Sequence, residues 1–214
     1  NSNSTYGQCY FSMKKSSTKP KGATSYKQTA FGIIPRSKLL TLELEGTKKG
    51  LEFLSDSCDQ KLTPELILKL HELSFGWIFP DWAGKYRTIR VEYSGKEAPS
   101  PHLLPQLVTS LCADLDERLK HIKIDSIESI IELLAWFQHQ FVYIHPFQDY
   151  NGRVTRMLTT FILLEIGLPP IEIKADTKQD RDNYLQAMYS ADEGDLTKLE
   201  SLIKQALDES LSNI

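Results

Sequence analysis

Residues 145 to 156 read HPFQDYNGRVTR, a histidine, an aspartate, an Asn-Gly pair and two arginines set between two strongly apolar segments. Pro146 disfavours the α region at His145, so the apolar helix before it should end there. The next helix is expected to begin near Gly152. The stretch between is then a tight loop whose unpaired N–H groups face outward at the N-terminus of a buried helix, an arrangement that attracts anions. Gly152 permits close backbone approach, and the Asn151 amide offers a further donor. Arg153 and Arg156 stand three residues apart, on one side of the first turns, where they can grip phosphate oxygens through charge-assisted hydrogen bonds. Asp149 is a hard oxygen ligand suited to Mg²⁺ carried in with a polyphosphate. Phe147 serves as an apolar anchor. His145 is left as the group able to take a proton near neutral pH. Such a coincidence of identities at fixed offsets arises by chance on the order of once in a million chains.

The elements that must position this loop are mostly helical from about residue 35 onward. TPELILKLHELSFGWI opens with Thr63 as a cap and Pro64 at the first helical position, then lays Leu66, Leu70, Leu73 and Trp77 on one stripe. Ile89, Val91 and Tyr93 alternate with Arg90 and Glu92 before Ser94-Gly95, the pattern of one small hairpin and the only convincing strand signal. Helical spacing resumes in LLPQLVTSLCADLDERL and in IESIIELLAWFQHQFVYI. RVTRMLTTFILLEIG is apolar nearly all round and stops at Gly167 before Pro169 and Pro170, which places it centrally. Two more helices, around DRDNYLQAMYSADEG and LTKLESLIKQALDESL, complete a mainly α, single-domain architecture.

Composition bounds the function classes. With 214 residues, 41% of them hydrophobic, and a formal net charge of -3, the chain can bury one substantial core. It has no basic footprint for nucleic acid and no apolar run long enough for a membrane span. The first 30 residues are rich in Ser, Thr and Lys without the apolar stretch of a secretory signal, and are expected to form a loose arm. Cys9, Cys58 and Cys112 follow no disulfide or zinc pattern, which fits a reducing cytoplasm. His71-Glu72 lacks a second histidine four residues on and reads as an ordinary helix pair. His139 is expected to be structural, Arg87 a loop tether, and Trp77, Trp82 and Trp136 core or hairpin supports.

HPFQDYNGRVTR resembles the signature of the Fic family, H-P-F-x-D/E-G-N-G-R-x-x-R, with Tyr150 standing where glycine is commonest. FPDWAGKYR is similar to the family segment before its flap hairpin, and NYLQAMYSADEGD to the helix lining its adenine pocket, so the resemblance covers roughly residues 40 to 205. It implies a helical Fic fold and transfer of AMP from ATP to a hydroxyl of a target protein. His145 would be the base, Asp149 would hold Mg²⁺, and Tyr150, Asn151, Gly152, Arg153 and Arg156 would bind the phosphates. Tyr184 would line the adenine site, and Val91, Glu92, Tyr93 and Ser94 would form the flap that registers the target. TLELEG, residues 41 to 46, resembles the family's inhibitory motif S/T-x-x-x-E-G/N, which implies that Glu45 pairs with Arg156 and blocks productive ATP binding.

The expected organisation is a polar arm over 1–34, an inhibitory motif with lead-in helix over 35–60, and a catalytic domain over 61–214. A homodimer is open, since relatives often bury the inhibitory segment near a dimer contact. Two rivals remain at this point: a phosphoryl transferase of the same fold, for which relatives carry lysine where this chain has Gly152, and a silent binding module.

Overall fold

Two apolar helices in the middle of the chain organise everything else in the structure, a computed structural model that describes residues 26–93, 95–174 and 177–212. The first, α4 (Ile127–Ile144), is capped by Ser126, whose hydroxyl accepts from the Ser129 N–H. It buries Ile130, Leu134, Phe137 and Phe141. The second, α5 (Asn151–Glu165), buries Val154, Leu158, Phe161 and Ile162 and is central, as its all-round apolar pattern predicts. Around this pair lie α1 (Arg36–Ser55), α2 (Pro64–Phe75), α3 (Leu104–His121), α6 (Lys178–Asp192) and α7 (Thr197–Leu211). Thr63 caps α2 through its side chain, with Pro64 behind it, as expected.

Helix α1 crosses α2 at very short range. A Cβ added at Gly46 would sit 2.0 Å from the Ser74 carbonyl oxygen, and one added at Gly50 would sit 2.2 Å from the Ser74 hydroxyl. Each glycine costs a helix roughly 1 kcal/mol relative to alanine, a cost accepted here because only hydrogen fits the crossing. The buried stripe of α1 is Leu39, Glu43, Gly46, Gly50 and Leu54, so a carboxylate rides on an otherwise apolar face.

Two small hairpins complete the fold. Strands β3 (Glu92–Tyr93) and β4 (Lys96–Glu97) pair antiparallel next to Gly95 at φ 76°. The ladder is shorter than the alternation from Ile89 predicts: Ile89 is half exposed, and Val91 joins only by accepting from the Ala98 N–H. Ser94 lies outside the described residues.

The second hairpin stands at the end of the expected loose arm. Strand β1 (Tyr26–Thr29) pairs with β2 (Gly32–Pro35), across the expected boundary at residue 34. Thr29 closes its turn by accepting from the Phe31 N–H and donating to the Gly32 carbonyl, and Gly32 takes φ 82°. The Ala30 N–H donates to the Ile78 carbonyl at 2.8 Å and Phe31 meets the edge of Trp77, which docks the turn on the end of α2. Residues 1–25, with Cys9, lie outside the described residues; Cys58 and Cys112 are free thiols. Among the described residues no helix is long and apolar enough to cross a membrane.

Candidate active site

The loop between α4 and α5 begins and ends on left-handed backbone. His145 has φ 49° and Tyr150 φ 65°, the two non-glycine residues with positive φ among those described. Such a conformation costs an L-residue on the order of 1 kcal/mol and persists only where surrounding contacts over-determine it. Those contacts are visible. Phe147 is fully buried, and the Asn151 amide grips its backbone twice: the Phe147 N–H donates to Oδ1 at 2.9 Å, and Nδ2 donates to the Phe147 carbonyl at 2.8 Å. Asn151 therefore shapes the loop from inside, where the sequence reading expected an anion donor.

His145 is held in one tautomer. Its Nδ1 lies 3.2 Å from the Val142 carbonyl, which can only accept, so Nδ1 carries the proton and Nε2 keeps its lone pair. Burial, aided by the nearby Arg87 charge, holds the imidazole below its ordinary pKa against the opposing pull of Val142 and Asp149. The ring is neutral at pH 7 and able to accept a proton. It stacks on Tyr93 of β3, centroids 5.3 Å apart. Arg87, almost fully buried, fixes its backbone: Nε donates to the His145 carbonyl at 2.7 Å, while Nη1 and Nη2 reach the Ile89 and Pro99 carbonyls. A cation over the carbonyl end of α4 is favoured by the helix dipole, and the same guanidinium ties that end to the hairpin base.

At the other end of the loop the first turn of α5 displays Gly152, Arg153 and Arg156. A Cβ at Gly152 would meet only Arg156 Nη1, at 3.7 Å, and its φ is not positive, so neither packing nor backbone geometry demands glycine here. Arg153 donates from Nη2 to Glu43 Oε2 at 2.7 Å, while its Nη1 is buried without a hydrogen-bond partner among the described residues. An orphan guanidinium donor beside a helix N-terminus and an open glycine suits a phosphate oxygen. Asp149 accepts from the Tyr150 N–H through Oδ1 at 2.7 Å.

Two residues that the sequence reading did not place here hold the loop. Glu43, with no exposed side-chain surface, accepts from the Tyr150 hydroxyl at 2.7 Å and from Arg36 at 2.9 Å in addition to Arg153. Tyr150 is stacked on Phe75, centroids 4.1 Å apart, and burial first, then the Glu43 carboxylate, push its hydroxyl far above its usual pKa. The opposite side is held by His71, which lies flat on Phe147 and hydrogen-bonds the Asp149 carbonyl. Both residues had a signal: each is a polar side chain on the buried stripe of its helix, beside Leu39 and Gly46 in one case and Leu70 and Ser74 in the other.

Other expectations land differently. Glu45, expected at Arg156, is half exposed and pairs with Lys49 at 3.1 Å; the carboxylate inside the site is Glu43, because two residues turn a helix by roughly 200°. Tyr184 is buried and donates to Gln138 at 3.2 Å, a packing contact between α6 and α4 within electrostatic reach of Arg156. On the hairpin, Tyr93 touches His145, Glu92 faces Glu97 across the ladder, and Val91 stands at its base. His139 pairs with Asp192 at 2.9 Å, and Lys96 of β4 lies 3.6 Å from the same carboxylate.

Residues 61–163 match the Fic/DOC family. The chain is 30% identical over 175 residues to "Protein adenylyltransferase Fic" of Nematostella vectensis, a match spanning 79% of this chain and 38% of that protein. Among solved structures it is similar to "Fic-1 (aa134 - 508)" of C. elegans, with TM-score 0.63, 26% identity, and coverage of 78% of this chain and 48% of that one. It is also similar to a Fic domain-containing signaling protein from Bacteroides thetaiotaomicron, with TM-score 0.66, 25% identity, and coverage of 79% and 69%. The chain thus spans well under half the length of the curated relative.

Proposed function

The chain carries a Fic/DOC family domain, and from that premise we propose that it is a protein adenylyltransferase, moving AMP from ATP to a side-chain hydroxyl of a target protein. The observation that carries the reading is the loop itself: a neutral, tautomer-fixed histidine at one end and an anion-receptive helix start with an open glycine at the other. His145 Nε2 takes the proton of the target Ser, Thr or Tyr. The freed oxygen bonds to the α-phosphorus as the bond from that phosphorus to the bridging oxygen breaks and pyrophosphate leaves. Gly152 and the first N–H groups of α5 receive the charge developing on the α-phosphate, and Arg153 Nη1 and Arg156 hold the outer phosphates. Asp149 would hold a Mg²⁺ arriving with the triphosphate, whose charge would offset that of the leaving group; one or two carboxylates are the usual protein share of such an ion. Tyr93 supports the base and the hairpin offers its strand edge to an extended target segment.

The same reading includes a restraint from α1. Phosphates approaching Arg153 compete with Glu43 for its guanidinium. Glu43→Gln is expected to raise transfer per folded protein, because it weakens the hold on Arg153; unchanged labelling in Glu43→Gln beside a rise in Glu45→Gly would move the restraint to Glu45, the residue the TLELEG motif specifies. The reaction itself is tested with radiolabelled ATP. Label from the α-position should reach protein and label from the γ-position should not, and His145→Ala should abolish labelling. Transfer from the γ-position would make the protein a phosphoryl transferase instead.

A further inference from the structure

His71 has no part in the chemistry just described, yet it is the best-connected buried imidazole in the molecule. Its side chain is fully buried on α2 and lies parallel to Phe147, centroids 3.8 Å apart and planes within 6°. Nδ1 accepts from the Gly84 N–H at 2.8 Å. Nε2 lies 3.3 Å from the Asp149 carbonyl, an acceptor, and therefore carries the ring proton. The ring thus bridges three pieces of chain: α2, the Gly84 turn leading toward Arg87 and the hairpin, and the anion loop one residue before its left-handed Tyr150. Gly84 itself has φ 78°, and a Cβ there would strike Glu72 at 2.6 Å, so the turn can approach α2 closely enough to reach the ring only as glycine.

We propose that His71 is a positioning residue for nucleotide binding, fixing the Asp149 peptide so that the Asp149 side chain and the start of α5 behind it keep their place toward the phosphates. The proposal deepens the adenylyltransferase reading and rests on it for the identity of the ligand. The two ring nitrogens make its test selective. A glutamine amide places a donor near the position of Nε2 and keeps the bond to Asp149. An asparagine oxygen lies near the position of Nδ1 and keeps the bond to Gly84 while losing Asp149.

Three forms, wild type, His71→Gln and His71→Asn, are compared for thermal unfolding, for hydrogen exchange in a peptide covering residues 145–151 without nucleotide, and for the Kd of Mg²⁺·ATP by calorimetry. The expected result is that His71→Asn exchanges faster in the loop and binds ATP roughly five- to tenfold more weakly. His71→Gln should stay within about twofold of wild type in both readouts. Equal loop exchange in all three overturns the proposal, whatever happens to ATP. Equal losses in both variants, tracking a common fall in Tm, reduce His71 to ordinary core packing and also overturn it. Failure of the wild type to bind ATP counts against the adenylyltransferase reading, and the loop exchange still decides the clamp.

Discussion

The anion loop is gripped from two sides by devices of opposite kind. On the α1 side the grip is ionic: the Glu43 carboxylate, shut away from water, gathers Tyr150, Arg153 and Arg36. On the α2 side it is neutral: His71 uses two directional hydrogen bonds and a stacked ring, with no formal charge. A buried charge demands partners, and removing it strands them; a neutral imidazole demands only that it stay neutral. The ionic side therefore reports on its own neighbours, while the neutral side reports on pH. On the proposed reading the ionic side would also share Arg153 with an incoming phosphate, whereas the His71 bonds would be compatible with a bound ligand. On that reading one side would be competitive and the other supportive.

Emptying the ionic side gives the largest expected effect. Glu43→Ala leaves a buried phenol and a guanidinium without their acceptor, a loss of about 3 to 5 kcal/mol by the usual cost of breaking a buried pair. For a domain of this size that corresponds to a fall in Tm of about 10 °C, readable by calorimetry. Glu43→Gln keeps an oxygen for Tyr150 and should lose about half as much. If Glu43→Ala unfolds within a degree of wild type, the ionic side holds nothing.

Acid addresses the neutral side. Burial holds His71 at a pKa of about 4, below its ordinary 6.5, against the weaker opposing pull of Asp149. Between those values the unfolded chain binds a proton that the folded chain refuses, so stability is intact above pH 6.5 and falls as pH drops toward 4, by roughly 3 kcal/mol in all. His145, also held low by burial, adds to the same decline. His71→Phe keeps a ring on Phe147 and removes the titration. Denaturant unfolding at pH 7, 5.5 and 4 should show a shallower loss for this variant than for wild type, and parallel curves would refute the account.

The two sides were unequally legible in the sequence. Repeating apolar spacing and a side-chain cap announce helices, so α2 followed from Thr63 and its stripe, and α4 and α5 from their apolar spacing alone. The signature residues His145, Asp149 and Gly152 were legible because their types and offsets are improbable together. What periodicity cannot convey is how a polar side chain on a buried stripe will be satisfied, because that depends on elements distant in sequence: Glu43 and Tyr150 are 107 residues apart, His71 and Asp149 are 78. Hence TLELEG pointed to Glu45, the residue its motif specifies, while the phase of α1 delivers Glu43. The β1–β2 hairpin was missed for a related reason: its signal is one Thr-Ala-Phe-Gly turn, and its stability comes from docking against Ile78 and Trp77.

Tyr150 sharpens the comparison at lower cost, since it belongs to the ionic side by its hydroxyl and to the apolar wall by its ring. Tyr150→Phe removes one bond to Glu43, which keeps its two arginines, and should cost about 1 to 2 kcal/mol. Tyr150→Gly relieves the left-handed backbone by about 1 kcal/mol but forfeits a ring packed on Phe75 and close to Phe79 and Trp82, which for a buried aromatic outweighs that gain by about 2 to 3 kcal/mol. The glycine variant should therefore be the less stable of the two in urea. The reverse order would mean that backbone strain, not ring packing, dominates at this position.

The smallest effect is expected at Glu45, and its smallness is informative. Glu45 and Glu43 share a helix and a charge, and differ in phase. Glu45 has half its side chain in water and a single partner, Lys49, one turn on. Such exposed pairs contribute at most about half a kcal/mol and weaken with salt. Lys49 keeps an independent hold through its position 3.9 Å over the Trp77 ring, so losing the glutamate does not release it. Alanine also forms helix at least as well as glutamate, and Glu45→Ala should shift Tm by no more than about 2 °C, with the remaining difference vanishing in 1 M salt. A large loss on Glu45→Ala would require Glu45 to make a buried contact, and α1 would then have to rotate on α2, which the closeness of Gly46 and Gly50 to Ser74 forbids without separating the two helices.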